Sequence, residues 1–330
     1  MSVLVTGGAG YIGSHMTLAL ADRGEEVVVL DNLSTGVETN VDARSELVVG
    51  DAGDHELVCR LIDTHGIDAI VHFAGSIVVP DSIADPLGYY LNNTVKTRAL
   101  IQAAVDKGLK AFIFSSTAAV YGIPAENPIA ETVPLAPISP YGASKMMTEM
   151  MLRDTGVAHP LRHVALRYFN VAGADPEGRS GQSTPRATHL IKVASQAALG
   201  QRPHLDVFGT DYETPDGTCI RDYIHVSDLI GAHVLALDYL RRGGDSRTMN
   251  CGYGTGYSVM EVIDAVKRVS GTEFAVKLCP RRAGDPPALV SRAEAVRSTL
   301  GWTPQYADLD LIVRHALNWE NKLQSSGAAA

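Results

Sequence analysis

Cysteine is scarce in this chain. Its 330 residues include four, Cys59, Cys219, Cys251 and Cys279, with no CxxC pair and no cysteine–histidine cluster. That distribution suggests neither a zinc site nor a disulfide scaffold, so no metal is expected and a reducing cytoplasmic setting fits. Positive charge is short as well: 28 Lys and Arg stand against 37 Asp and Glu, a net charge of −9. A nucleic-acid surface would be basic, so no nucleic-acid partner is expected. Any anionic ligand must then be held by local cationic groups, not by an overall field. Long apolar runs and internal repeats are absent. The N-terminus enters a strand almost at once, with no basic region or cleavage site, so neither a signal peptide nor a membrane span is expected. What remains is an ordinary globular composition, 45% hydrophobic and 20% charged, long enough for a large core and one or two domains.

The chain is organised around its start, Val3-Leu4-Val5-Thr6-Gly7-Gly8-Ala9-Gly10-Tyr11-Ile12-Gly13. The apolar run reads as a strand buried on both faces. Gly7, Gly10 and Gly13 then let the backbone turn tightly, and a helix opens near Ser14 with its positive end free for a pyrophosphate. A second apolar run, Val27 to Leu30, ends in Asp31. An acidic side chain there can accept both adenosine ribose hydroxyls and repels a 2′-phosphate, which favours NAD over NADP. The polar loop Asn32-Leu33-Ser34-Thr35-Gly36 lies at the ligand edge of such a sheet.

Further strands are predicted over 46–50, 68–73, 111–114 and 163–168, with helices between them, as in a parallel, doubly wound α/β sheet. Asp51 and Ala52 follow the third strand; Asp51 either bonds an adenine amino group or caps the helix over 54–65. Phe73-Ala74-Gly75-Ser76 are small enough, after Phe73, to let the backbone pass close to a cofactor. A long helix over 87–107 carries Asn92 and Asn93 near its start. The proline-rich stretch 124–140 reads as a long surface loop. It leads into a helix with Met146, Met147, Met150 and Met151, side chains for the core or for a subunit contact. From about residue 171 the texture becomes polar and rich in Gly and Pro. The expected division is a Rossmann domain over 1–170 and a smaller α/β substrate domain over 171–330, with the strand near 248–251 a candidate to return to the first sheet. The end of the chain, 325–330, reads as a disordered tail.

Tyr141 and Lys145 are four apart and share a helix face. With an ordinary pKa near 10, a tyrosine must come down roughly three pH units, about 4 kcal/mol, to act as a base at neutral pH. A neighbouring ammonium and a positive nicotinamide ring both act in that direction. The lysine can also bond the nicotinamide ribose.

With these features in place, the chain resembles the extended short-chain dehydrogenase/reductases and, within them, the UDP-glucose (UDP-galactose) 4-epimerases. The resemblance runs from Ser2 to about Trp319. It is carried by residues 6–15, Asp31-Asn32-Leu33, His72-Phe73-Ala74-Gly75, Tyr141-Gly142-Ala143-Ser144-Lys145, Leu166-Arg167-Tyr168-Phe169-Asn170, Arg221-Asp222-Tyr223-Ile224-His225-Val226 and Pro280-Arg281-Arg282-Ala283-Gly284-Asp285. The resemblance implies C4 epimerisation of a UDP-hexose on bound NAD through a 4-keto sugar. It implies Tyr141 as the base, Lys145 as its partner and Thr117 as the hydroxyl that bonds the sugar O4. NAD would be held by Gly7, Gly10, Tyr11, Ile12, Gly13, Asp31, Asn32, Ser34, Thr35, Gly36, Asp51, Ala52, Phe73, Ala74, Gly75, Asn92, Lys145 and Phe169. Arg221 and Arg282 match residues that grip the diphosphate, a role suited to guanidinium forks. Asn170, Leu190 and Tyr223 would line the substrate, Phe208 the uracil pocket, and Asp285 the uridine ribose. A homodimer through the helices beginning near Asn92 and Tyr141 is also implied.

The chain departs from the family at several places. Leu289 stands where hexose epimerases carry Tyr, or Cys where N-acetylated sugars are accepted, so a UDP-N-acetylhexosamine or UDP-pentose substrate stays open. Thr188-His189-Leu190 replaces Asn-Asn-Leu; His189 is either a phosphate contact or a structural histidine. Ile77 replaces a lysine near the cofactor. Ala118-Ala119 replaces the Asp-Glu of the 4,6-dehydratases, which argues against water elimination. A catalytically idle NAD-binding protein is the alternative from another class.

Overall fold

The computed structural model describes residues 1–184, 187–282 and 285–327. Ala283 and Gly284 of the last motif, and 328–330 of the expected tail, lie outside the described residues. Ser325, where that tail was to begin, still ends a helix, Leu309–Ser325.

Strands β1 (Ser2–Thr6), β2 (Glu26–Asp31), β3 (Glu46–Val49), β4 (Ile67–His72), β5 (Ala111–Thr117) and β6 (Arg162–Tyr168) form a parallel sheet. The short strands β7 (Asn170–Ala172), β8 (Leu205–Phe208) and β9 (Ile220–His225) follow, and β10 (Arg247–Cys251) returns to pair parallel with β6. The order is β10-β6-β5-β4-β1-β2-β3, the doubly wound arrangement expected. Alternate residues of each strand serve opposite faces. Val3, Val5, Val27, Val29 and Val71 pack into one core layer, and Leu4, Val28, Leu30, Ile70 and Phe112 into the other. The order reverses between β1 and β4, so the ligand crevice opens where Thr6 leads into Gly7 and His72 into Phe73.

The chain after residue 171 is divided between this sheet and two smaller ones. Helix Val226–Arg241 packs Leu229, Ile230, Ala236 and Leu237 into the first core layer beside Met16 and Leu20. It therefore joins the large sheet together with β10, although its sequence position suggests the second unit. Its apolar face covers a sheet face that the first 170 residues leave open. The remaining strands β11 (Gly256–Ser258), β12 (Val276–Cys279) and β13 (Ala288–Leu289) complete two small sheets: β11-β9-β13 with β7 on β9, and β12-β8.

Two local differences bear on the cleft. The helix expected over 87–107 runs as Pro86–Tyr89, a wide π turn Tyr90–Val95, and Lys96–Asp106. The proline-rich stretch is not wholly on the surface: Ile129 is fully buried, and its N–H and C=O bond Val290 O and Arg292 N, so its backbone polar groups are satisfied inside. Among the described residues, no helix is long and apolar enough to cross a membrane, and no group of three His, Cys, Asp or Glu could hold a metal.

Candidate active site

The glycine turn is shaped by the absence of side chains. Gly7 has φ 73°, and a Cβ there would lie 2.6 Å from Ala74 N. A Cβ on Gly13 would lie 2.1 Å from Gly7 O. Only glycine lets the two strand ends and the helix start approach this closely. The helix Tyr11–Asp22 has no side-chain cap, and the N–H groups of Tyr11, Ile12 and Gly13 make no hydrogen bond among the described residues. Such free donors at a helix N-terminus fit a pyrophosphate. Asp31, buried at the end of β2, accepts Ala9 N–H at 3.0 Å and Leu33 N–H at 2.9 Å. Each carboxylate oxygen keeps a further lone pair for a ribose hydroxyl. Gly36 lies against this carboxylate, while Asn32, Ser34 and Thr35 are exposed. The residues present therefore fit a dinucleotide.

Asp51 does not cap the helix His55–His65; Asp54 does, accepting Leu57 N–H. Asp51 instead pairs with Lys96 at 2.5 Å, next to half-buried Ala52. Phe73 and Ala74 bond Thr6 O through their N–H groups, and Asn92 donates to Ser76 Oγ. Asn93, named beside Asn92 in the sequence but given no role there, is the tighter clasp. It accepts Ser76 N–H and donates to Ser76 O and Ser144 Oγ, tying the turn after Gly75 to the helix of Lys145. The π turn places it there, and no periodicity in the sequence announces that turn.

Tyr141 and Lys145 occupy the first turns of helix Pro140–Ala158, which Ser139 caps. Lys145 is buried and donates to Ser115 O at 3.0 Å, with its ammonium 5.0 Å from the Phe114 ring centre. Burial lowers its pKa to about 8. Tyr141 is also buried, and burial pushes its pKa up while the Thr117 hydroxyl pulls it down. The expectation that Lys145 depresses this phenol is thus not met in the protein alone, because the ammonium is directed to the Ser115 carbonyl. His72, held between the Thr6 and Thr97 hydroxyls at 2.6 and 2.8 Å, is kept neutral by burial, its pKa lowered to about 3.

The other side of the cleft comes from the small sheets. Arg221 on β9 has Nη2 4.0 Å from Asp285 Oδ1, and Arg282 donates to Asp285 at 2.9 Å. The Arg282 guanidinium lies 4.9 Å from the ring centre of Phe208, at the end of β8. Burial pushes the Tyr223 phenol well above its ordinary value, against a smaller downward pull from Arg221 and Arg282. Asn170, His189, Leu190 and Tyr223 line a common pocket with Trp319 and Glu320. His189 Nδ1 meets the Gln182 amide at 2.7 Å, and burial lowers its pKa. Leu289, in register with Arg221, packs against the cluster of Ala118, Tyr121 and Phe169 just beyond Thr117. Leu289 thus links the strand of Arg221 to the end of β5.

The sequence model of the NAD dependent epimerase/dehydratase family matches residues 3–252. The chain belongs to this family. A UDP-glucose 4-epimerase of Azospirillum brasilense is 60% identical over 324 residues, covering 98% of this chain and 93% of that protein. Among solved structures, the UDP-Glc/GlcNAc 4-epimerase of Campylobacter jejuni is 50% identical with a TM-score of 0.84, covering 97% of this chain and 99% of that one. The UDP-glucose 4-epimerase of Bifidobacterium longum, in complex with NAD+ and UDP, is 36% identical with a TM-score of 0.92 and full coverage of both chains (100% each). Membership in the epimerase/dehydratase family makes this an NAD-dependent enzyme, and its free helix-terminal donors and Asp31 lie where the doubly wound fold binds a dinucleotide.

Proposed function

We propose that this chain is a UDP-glucose 4-epimerase, an isomerase that interconverts UDP-galactose and UDP-glucose. The observation that supports the reading is Tyr141 beside Thr117 on the doubly wound sheet, joined to two arginines on Asp285 through Leu289, which is in register with Arg221 and packs just beyond Thr117. NAD, which the glycine turn and Asp31 would hold, would supply the hydride acceptor and donor for inversion at the sugar C4 through a 4-keto sugar. The chain moves the proton. Tyr141 accepts it from the O4 hydroxyl and gives it back, and Thr117 orients that hydroxyl. Burial pushes the phenol above its ordinary value, so positive charge brought beside it is what would make Tyr141 a base near neutral pH. Arg221 and Arg282 hold the diphosphate, Phe208 faces the uracil, and Asp285 meets the ribose. Asn170, His189, Leu190 and Tyr223 border the sugar–phosphate. The hexose is held by few groups, so the keto sugar can turn.

A second reading shares this chemistry. Leu289 offers an aliphatic wall near the C2 substituent, which supports acceptance of a UDP-N-acetylhexosamine, with UDP-pentoses as the other members of a substrate panel. The NAD-binding part is residues 1–170 with the returning helix and β10; the UDP-sugar part is most of 171–330. Leu87, Leu91 and Val95 lie at four-residue spacing and are exposed beside exposed Met147 and Met150, an apolar face that supports a homodimer. Four free thiols support a cytoplasmic location.

The test is incubation of the purified protein with UDP-galactose and no added NAD. Formation of UDP-glucose without NADH accumulation is expected. Steady NADH release with added NAD would make it a dehydrogenase, and no turnover would leave an idle NAD-binding protein. Light scattering should give twice the chain mass, and Leu91→Glu should give the monomer.

A further inference from the structure

The helix that carries Tyr141 and Lys145 meets the sheet with a polar face. Of its buried residues Tyr141, Gly142, Ser144, Lys145, Thr148, Glu149 and Leu152, only Leu152 is a large aliphatic. Apolar contact is non-directional, and here there is little of it to set where the helix lies along the strands. Glu149 stands one turn beyond Lys145 on the same face. It is buried at 6% exposure and accepts Ser116 Oγ at 2.5 Å. Arg167 on β6, equally buried, grips it with a two-pronged bond, Nε to Oε1 at 2.9 Å and Nη2 to Oε2 at 2.6 Å. Arg167 Nη1 donates to Tyr121 OH at 2.9 Å, and Tyr121 donates to Asn250 on β10 at 2.7 Å.

The pairing with β5 has a simple order. Three consecutive residues of the strand face the helix in turn: Ser115 O accepts Lys145 Nζ, Ser116 Oγ donates to Glu149, and Thr117 lies beside the Tyr141 phenol. Of these three, only the Glu149 contact is backed by an opposite charge on the neighbouring strand.

We propose that Glu149 and Arg167 are positioning residues for the reaction. Their fork fixes the helix against β5 and β6 at the one register in which the Tyr141 hydroxyl meets Thr117 and the Lys145 ammonium meets Ser115. The proposal rests on the epimerase reading. A slip of one helical residue is about 1.5 Å, and a misplacement of about 1 Å at reacting groups costs on the order of 100-fold in rate.

A buried ion pair can also be mere ballast, and the two cases separate. Replacing such a pair by apolar residues of similar size is often neutral or stabilising, whereas removing one partner strands a buried charge. The double variant Glu149→Leu/Arg167→Met should therefore fold and hold NAD and UDP as the parent does. Its kcat should fall about 10–100-fold with KM unchanged, and the pH limb of kcat belonging to Tyr141 should move. Arg167→Lys keeps both charges but not the fork, and should lose a smaller part of kcat. Parental kcat and pH limb in either variant overturn the positioning role. If the double variant unfolds, the kcat and pH limb of Arg167→Lys decide. Absence of turnover in the parent protein would instead reject the epimerase reading.

Discussion

The two edges of the cleft are built from different materials. Around the glycine turn the shape is set by backbone and by missing atoms: a single added methyl at Gly13 meets a carbonyl at 2.1 Å. Around Arg221 the shape is set by long side chains, and Arg282 and Phe208 are partly exposed, at 48% and 36%. A backbone cradle cannot adapt, so it suits a ligand that stays. A side-chain grip can open and close, so it suits a ligand that exchanges. The same contrast appears along the chain: the backbone cradle of the first edge lies within residues 6–76, whereas the second gathers residues from 117 to 289.

The contrast is broken most directly at Gly13. Gly13→Ala should lower NAD affinity about 1,000-fold or more (about 4 kcal/mol) while leaving UDP binding measurable; calorimetry on the protein stripped of cofactor checks both. Acid should also discriminate. His15, His72, His163 and His233 in the large-sheet layer, and His225 at the end of β9, are lowered by burial to about 4, 3, 4, 4 and 3. Folded values below the ordinary 6.5 mean that their stability is present above that pH and lost as pH falls through it. Each should cost about 2 kcal/mol at pH 5. Melting at pH 7 and pH 5 should fall steeply, with amides of the large sheet losing hydrogen-exchange protection most. On the other edge, Arg221→Met should raise KM about 10–100-fold through a lost charged hydrogen bond and leave NAD binding unchanged. Phe208→Leu is the mildest, about 2–5-fold in KM from one cation–π contact. A loss of NAD in either substrate-edge variant would undo the separation.

The glycine turn, the Val and Leu strands and Asp31 were legible because each is local: a period, a spacing, an acid at a strand end. Even β10 was within reach, as a short strand near 248–251 that could return to the first sheet. Helix Val226–Arg241 was not assigned to the large sheet, because its amphipathic pattern does not say which core it covers. Asn93 depended on a π turn that leaves no mark in the sequence. Glu149 and Arg167 sat inside quoted or flanking motifs, but a buried ion pair is visible only once two distant segments meet. Where Lys145 points was not legible, because spacing on a helix gives neighbourhood, not direction: its ammonium goes to the Ser115 carbonyl.

The late arrival of β10 gives this fold a vulnerable interval during synthesis. The edge of β6 carries fully buried Val164 and Leu166 and is covered only by Arg247–Cys251. That segment is made roughly 80 residues after β6, some 4–16 s at ordinary elongation rates of about 5–20 residues per second. For that time the growing chain presents an open, apolar strand to its neighbours on the ribosome. A chain ending before Arg247 keeps that edge permanently, and it should aggregate in light scattering where the full chain does not.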